Sequence, residues 1–161
     1  MTPDTEDATT VEVTVERRLD AGADRVWEAL ADIEVTEATL PGCDDLDFGV
    51  DRDYVEAGDR GTATISVGVG PVSPSFDTDV AVVRRDYPEM TVTAEGEAAG
   101  SSFATTADLS VAEADERTDV TWHATATVSG RVEAFAGALR PLVESVAERF
   151  FERLDERFTA A

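Results

Sequence analysis

From Thr10 the chain alternates: Val11, Val13 and Val15 point one way, and Glu12, Thr14 and Glu16 the other. That two-residue period is the mark of a strand with one dry face. The period then changes. Over residues 24–31 the apolar side chains of Val26, Trp27, Leu30 and Ala31 share one face of a short helix, with Ala23 or Asp24 as its cap. A second short helix is expected over residues 34–39. It has to stop by Leu40-Pro41-Gly42, because the residue before a proline is pushed out of the helical region.

After Cys43 the alternation returns in six successive runs. Leu46 and Phe48 make the first dry row, and Ala63, Ile65, Val67 and Val69 the second. Phe76, Thr78, Val80 and Val82 follow, then Met90, Val92 and Ala94. Phe103, Thr105, Ala107, Leu109 and Val111 form the fifth, and Val120, Trp122, Ala124, Ala126 and Val128 the sixth. Acids and threonines fill most of the opposite faces. Turn residues such as Ala57-Gly58-Asp59, Gly70-Pro71, Tyr87-Pro88 and Ala99-Gly100 separate the runs. Short links and one wet face imply antiparallel pairing, so seven strands are expected in one curved sheet.

Beyond Ser129-Gly130 the spacing becomes helical. Val132, Phe135, Leu139, Val143, Val146 and Phe150 recur at three- and four-residue steps, with acids and arginines on the other side. The pattern predicts about seven turns, kinked or divided at Pro141. Phe151 falls off this stripe beside Ala147 and Phe158, as an edge of the core or part of a docking patch. An antiparallel sheet must cover its dry face, and only this last helix is long enough to do so. The expected class is therefore α+β: a helix-grip fold, with a curved seven-stranded antiparallel sheet around a long C-terminal helix and two short helices between strands 1 and 2. Residues 1–9 read as a disordered acidic tail, 10–158 as a single domain and 159–161 as a frayed end.

The inward residues are mostly Val, Ala and Thr, which fill space poorly, so an apolar cavity between sheet and helix is expected. Its candidate lining on the first helix and the strands is Trp27, Leu40, Val67, Val69, Phe76 and Val80, continued by Val92, Phe103, Leu109 and Trp122. The last helix adds Phe135, Leu139 and Val143. Rings at several of these positions suit a flat or chain-like apolar ligand.

Charge narrows the function classes. The 161 residues carry 35 acids against 13 basic residues, a net charge of −22, which repels nucleic acid and anionic lipid alike. Every basic residue is arginine, and lysine, asparagine and glutamine do not occur. Codon bias in a GC-rich genome favours Arg over Lys, but the excess of carboxylates points to a halophilic archaeon with molar salt in its cytoplasm. At about 1 M salt the Debye length shrinks to about 3 Å, so surface acids barely repel one another. No apolar run reaches the roughly 20 residues of a membrane span, and residues 1–10 lack a secretory pattern.

Catalytic chemistry has little to stand on. One histidine, His123, falls on the wet face, and one cysteine, Cys43, offers neither a disulfide nor a zinc pair. Arg17 and Arg84 fall in register with inward positions at strand ends. With Thr78 and Thr105 they are the polar groups an enzyme could use. The acid pairs Asp44-Asp45, Asp51/Asp53 and Asp115-Glu116 read as solvated side chains in so acidic a chain. Gly68-Val69-Gly70-Pro71 lacks the lysine and following helix of a phosphate loop. No catalytic residue, metal or cofactor is assigned.

Several segments together resemble a known family: Leu40-Pro41-Gly42-Cys43, Gly68-Val69-Gly70-Pro71-Val72, Ala94-Glu95-Gly96 with Ala98-Ala99-Gly100, then Ser129-Gly130-Arg131 and Phe150-Phe151-Glu152. Their order and spacing over residues 10–154 resemble the carbon monoxide dehydrogenase G-subunit family, in the START-like, birch-pollen-allergen-like superfamily. The resemblance implies a non-catalytic accessory of a molybdenum-containing carbon monoxide dehydrogenase or related hydroxylase, acting in maturation or recruitment. It also implies a quinone- or lipid-like apolar ligand. The lack of a secretory pattern and of a membrane span makes a cytoplasmic location the expectation, with at most peripheral membrane contact. A polyketide cyclase-like enzyme of the same superfamily is the alternative reading.

Overall fold

The computed structural model describes residues 8–66, 75–98, 100–130 and 139–159. In chain order these form β1 (Ala8–Leu19), α1 (Ala23–Ala31), α2 (Ile33–Thr39), β2 (Cys43–Asp47), β3 (Arg60–Ser66) and β4 (Ser75–Asp86). Then come β5 (Glu89–Ala98), β6 (Ser101–Ala114), β7 (Arg117–Gly130) and α3 (Leu139–Thr159). All seven strands form one antiparallel sheet in the order β1-β7-β6-β5-β4-β3-β2. The first strand thus closes against the last, and β1 and β2 are the two edges. This is the helix-grip architecture that the periodicity predicts.

Local chemistry accounts for the helix ends. Gly22, not Ala23 or Asp24, is the N-cap of α1, and its carbonyl accepts from the Val26 amide at 3.1 Å. Asp24 sits in the first turn, where a carboxylate suits the helix dipole. Asp32 caps α2, its Oδ1 accepting from the Val35 amide at 3.1 Å. That helix ends at Leu40, directly before Pro41. Gly42 then turns the chain with φ of 79°, and its carbonyl accepts from the Ser66 amide at 2.8 Å. Pro141 lies in the first turn of the described part of α3. The stretch before it, on which the expected kink or division turns, lies outside the described residues.

Burial is divided between the two ends of the sheet. At the end where β1 runs into α1, Val13, Val15, Leu19, Val82, Met90, Leu109, Val111 and Val120 form one core cluster with α1 and α3. From α3 this cluster takes Ala147, Phe151, Leu154 and Phe158. Phe151 is fully buried, which overturns its reading as a docking-patch residue. The Asp20 amide donates to Asp155 Oδ1 at 2.8 Å, and the Arg25 guanidinium stacks over Phe158 at 5.0 Å. These contacts tie the C-terminal half of α3 to the β1–α1 corner. Nearer its start, Arg140 donates to the Glu12 carbonyl on the free edge of β1 at 2.6 Å.

Candidate functional site

Strand register sorts the inward residues into rows across the sheet. One row runs Val80, Ala94, Thr105, Ala126 and Val11, and its neighbour runs Thr78, Gly96, Phe103 and Val128. Toward the closed end follow Val82, Val92, Ala107, Ala124 and Val13, then Arg85, Met90, Leu109, Trp122 and Val15. Inward parity would ordinarily mean full burial. Instead Val11, Ile65, Val80, Val92, Ala94, Phe103, Thr105, Ala107 and Trp122 are only half-buried. On α3, Leu142, Val143, Val146 and Phe150 are half-buried as well. The helix therefore carries two apolar stripes: one gripped in the core, and one left half-covered.

This band brings together Val80, Val92, Phe103, Trp122 and Val143 from the expected lining. Phe76 is buried beside it, edge-on to Phe103 with ring centroids 5.1 Å apart. Phe103 lies over Gly96 so closely that a β-carbon there would collide with the ring and sit 2.9 Å from Thr78 Oγ1. Leu40 is half-buried at the end of α2, on the rim beside Cys43. Leu109 is buried in the core cluster. Trp27 stands apart, on α1 at the closed end. Val67, Val69 and Phe135 lie outside the described residues, as do the Gly68-Val69-Gly70-Pro71 segment and the side chain of Leu139.

Polar groups on the inner face are few. Thr78 is buried, and its hydroxyl donates to the Phe76 carbonyl at 3.1 Å. Among the described residues Thr105 Oγ1 has no hydrogen-bond partner, and it is half-buried. Arg84 does not point inward. The β4–β5 register shifts between Val82 and Arg84, a β-bulge that turns Arg84 out to pair with Glu89 at 2.9 Å. The same bulge exposes Val83 and carries Arg85 to the inner side opposite Met90.

Simple alternation across this strand misses Arg85; the adjacent pair Val82-Val83 is the one signal of the broken period. Its guanidinium stacks on Trp27 at 4.1 Å, donates to the Trp27 carbonyl at 2.8 Å and contacts Met90 Sδ at 3.4 Å. Burial lowers its pKa, because the charged form loses hydration. Tyr87 completes the group, edge-on to Trp27 at 5.2 Å.

The remaining sequence candidates lie elsewhere. His123 is on the outer face, with Nδ1 2.8 Å from Thr14 Oγ1. Cys43 is half-buried at the rim, and burial, reinforced by the charge of Glu37, pushes its thiol up. The outer face holds a groove of about 750 Å³, whose lining includes Asp45, Asp77, Asp79, Glu95 and Glu97. Among the described residues no group of three or more His, Cys, Asp or Glu is placed to hold a metal ion. None of the described helices is long and apolar enough to cross a membrane.

A family model for CoxG, the G subunit of carbon monoxide dehydrogenase, matches residues 16–159. The chain belongs to the CoxG family. No curated protein matches it in sequence. Among solved structures, a conserved protein from Geobacillus kaustophilus is similar with a TM-score of 0.82 at 19% identity, over 93% of this chain and 96% of that one. The Zhui aromatase/cyclase from Streptomyces sp. R1128 aligns with a TM-score of 0.66 at 14% identity, over 92% and 93%. Norcoclaurine synthase from Thalictrum flavum aligns with a TM-score of 0.64 at 14% identity, over 98% and 91%. Identities this low establish the shared fold. This CoxG family member thus stands on a scaffold that also serves a cyclase and a synthase.

Proposed function

We propose that this CoxG family member is a non-catalytic binding module that holds an apolar, quinone- or lipid-like molecule between the sheet and α3. Its service is to a molybdenum-containing carbon monoxide dehydrogenase or related hydroxylase, in maturation or recruitment. The observation that carries the reading is the band of half-buried inner-face residues, which bears no charged side chain among the described residues. Apolar surface left accessible beside a packed core gains by covering, at about 25 cal/mol per Å² removed from water. Family membership supports the accessory role, because the family takes its name from one subunit of the dehydrogenase.

An enzyme would need a polar group poised over the band. Of its four candidates, Arg84 faces outward in an ion pair and the Thr78 hydroxyl is bonded to a carbonyl of its own strand. Arg17 lies in the row of Val120 and Val111, at the closed end. That leaves Thr105, and one hydroxyl without a base or an oxyanion partner among the described residues makes a contact rather than a catalytic unit. Native mass spectrometry of protein purified in molar salt after mixing with a membrane-lipid extract tests the reading. A retained quinone or lipid is the expected result. An empty protein that turns over an aromatic polyketide would overturn it.

A further inference from the structure

The band that the proposed function relies on is specific about charge, and this inference rests on that reading. Apart from Arg17 and Arg85 at the closed end, every accessible inner-face group among the described residues is aliphatic, aromatic or a threonine hydroxyl. Among the described residues Arg85, the inner-side cation in the row of Met90 and Trp122, is engaged elsewhere. Its planar face lies on Trp27, its Nη2 donates to the Trp27 carbonyl, and Met90 and Val82, 4% and 2% exposed, stand between it and the band. A ligand carboxylate or phosphate entering here would lose its hydration and meet no counter-charge on the band among the described residues, which is strongly unfavourable.

Among the described residues, one hydrogen-bonding group of the band is left without a partner. Thr105 sits at the middle of its row, flanked across the sheet by Ala94 and Ala126, side chains too short to cover it. Thr78, in the next row, satisfies its hydroxyl internally, whereas Thr105 Oγ1 has no partner among the described residues. No buried side-chain polar atom of the described residues lacks a partner, so this hydroxyl stays within reach of solvent or of a bound molecule.

We infer that the site selects an uncharged lipophile carrying a hydrogen-bond acceptor, which receives the Thr105 hydroxyl. Charged amphiphiles of the same length are rejected. Thr105 here is a binding residue, with no part in bond making or breaking.

The test is displacement of Nile red from the full chain in molar KCl at pH 8 by methyl decanoate and by decanoate, which share chain and carbonyl and differ in charge. The ester is expected to displace the dye at a concentration at least about 10-fold lower than the anion. Thr105→Val should weaken the ester by about 2- to 12-fold, the range of one net hydrogen bond, while Thr106→Val on the opposite face leaves it unchanged. Decanoate competing as well as its ester would overturn the charge selection with the cavity reading intact. A Thr105→Val variant that binds the ester like the parent would overturn the hydroxyl contact. Absence of any Nile red binding would remove the cavity reading and this one together. The ester-to-anion ratio is read on the unaltered protein, so it stands even if the variant does not fold.

Discussion

Gly96 gives up its side chain to a neighbour. The Phe103 ring occupies the volume a β-carbon would need, and Thr78 closes the other side. Gly96→Ala should therefore cost about 1–3 kcal/mol through overpacking, measured by urea titration in molar salt. If it costs nothing, the ring must have another place to go. Gly42 is constrained twice, by a φ of 79° and by the Ser66 carbonyl against which any β-carbon would press. The Cys43 thiol, raised by burial and by Glu37, should react with maleimide more slowly than a free cysteine, and the gap should vanish in denaturant. The sign for stability follows. Folding favours the neutral thiol, so its contribution is complete below the unfolded pKa and is lost as pH rises through the higher folded one. A maleimide rate in the native state equal to that in denaturant would contradict the burial. The sequence offers Gly42 as a Pro-Gly turn, but nothing in it shows that Phe103 claims the space at Gly96, because that contact spans two strands.

At the scale of elements, α3 is divided lengthwise between grip and cover. Phe151→Ala should destabilise by about 3–5 kcal/mol, since the ring is wholly enclosed. Phe150→Ala, in the half-buried stripe, should cost clearly less despite the T-shaped contact of the two rings at 5.1 Å. Equal losses would contradict the two-stripe division. Helical periodicity finds the apolar side of α3 but ranks its stripes wrongly, because both repeat at the same spacing. Only packing against Val13, Leu19 and Val82 separates them. Strand parity likewise gives the sheet its seven runs and fails within β4 at one inserted residue, Val83. From there to Asp86 every face is reversed, so Arg84 and Arg85 exchange places.

For the whole molecule the decisive asymmetry is between faces. Charge covers the outside of the sheet and the solvent side of α3, and it leaves the inner band bare. A net charge of −22 on 161 residues opposes compaction in dilute buffer. The melting midpoint followed by circular dichroism should rise steeply from dilute buffer to molar KCl, and a flat response would remove the case for a salt-rich setting. The fold as a whole was readable from alternation and helical spacing because both report which side of an element is dry. The site was readable only in outline. Parity names the residues that face inward, but not which of them the packing leaves half-covered.

The sheet remains open, and its two outer strands bear on how the protein behaves at high concentration. An open edge is a template on which another chain can extend the sheet, the first step toward fibres. At β1 one of the exposed carbonyls, that of Glu12, is already occupied by the Arg140 guanidinium. At β2 the strand is five residues long, three of them aspartates, and its pairing with β3 slips at Asp44. A short, bulged, negatively charged border and a stoppered one leave little for a second copy to add to. In salt strong enough to silence repulsion between molecules, the shortness and register slip of β2 and the Arg140 contact on β1 still oppose edge-to-edge pairing.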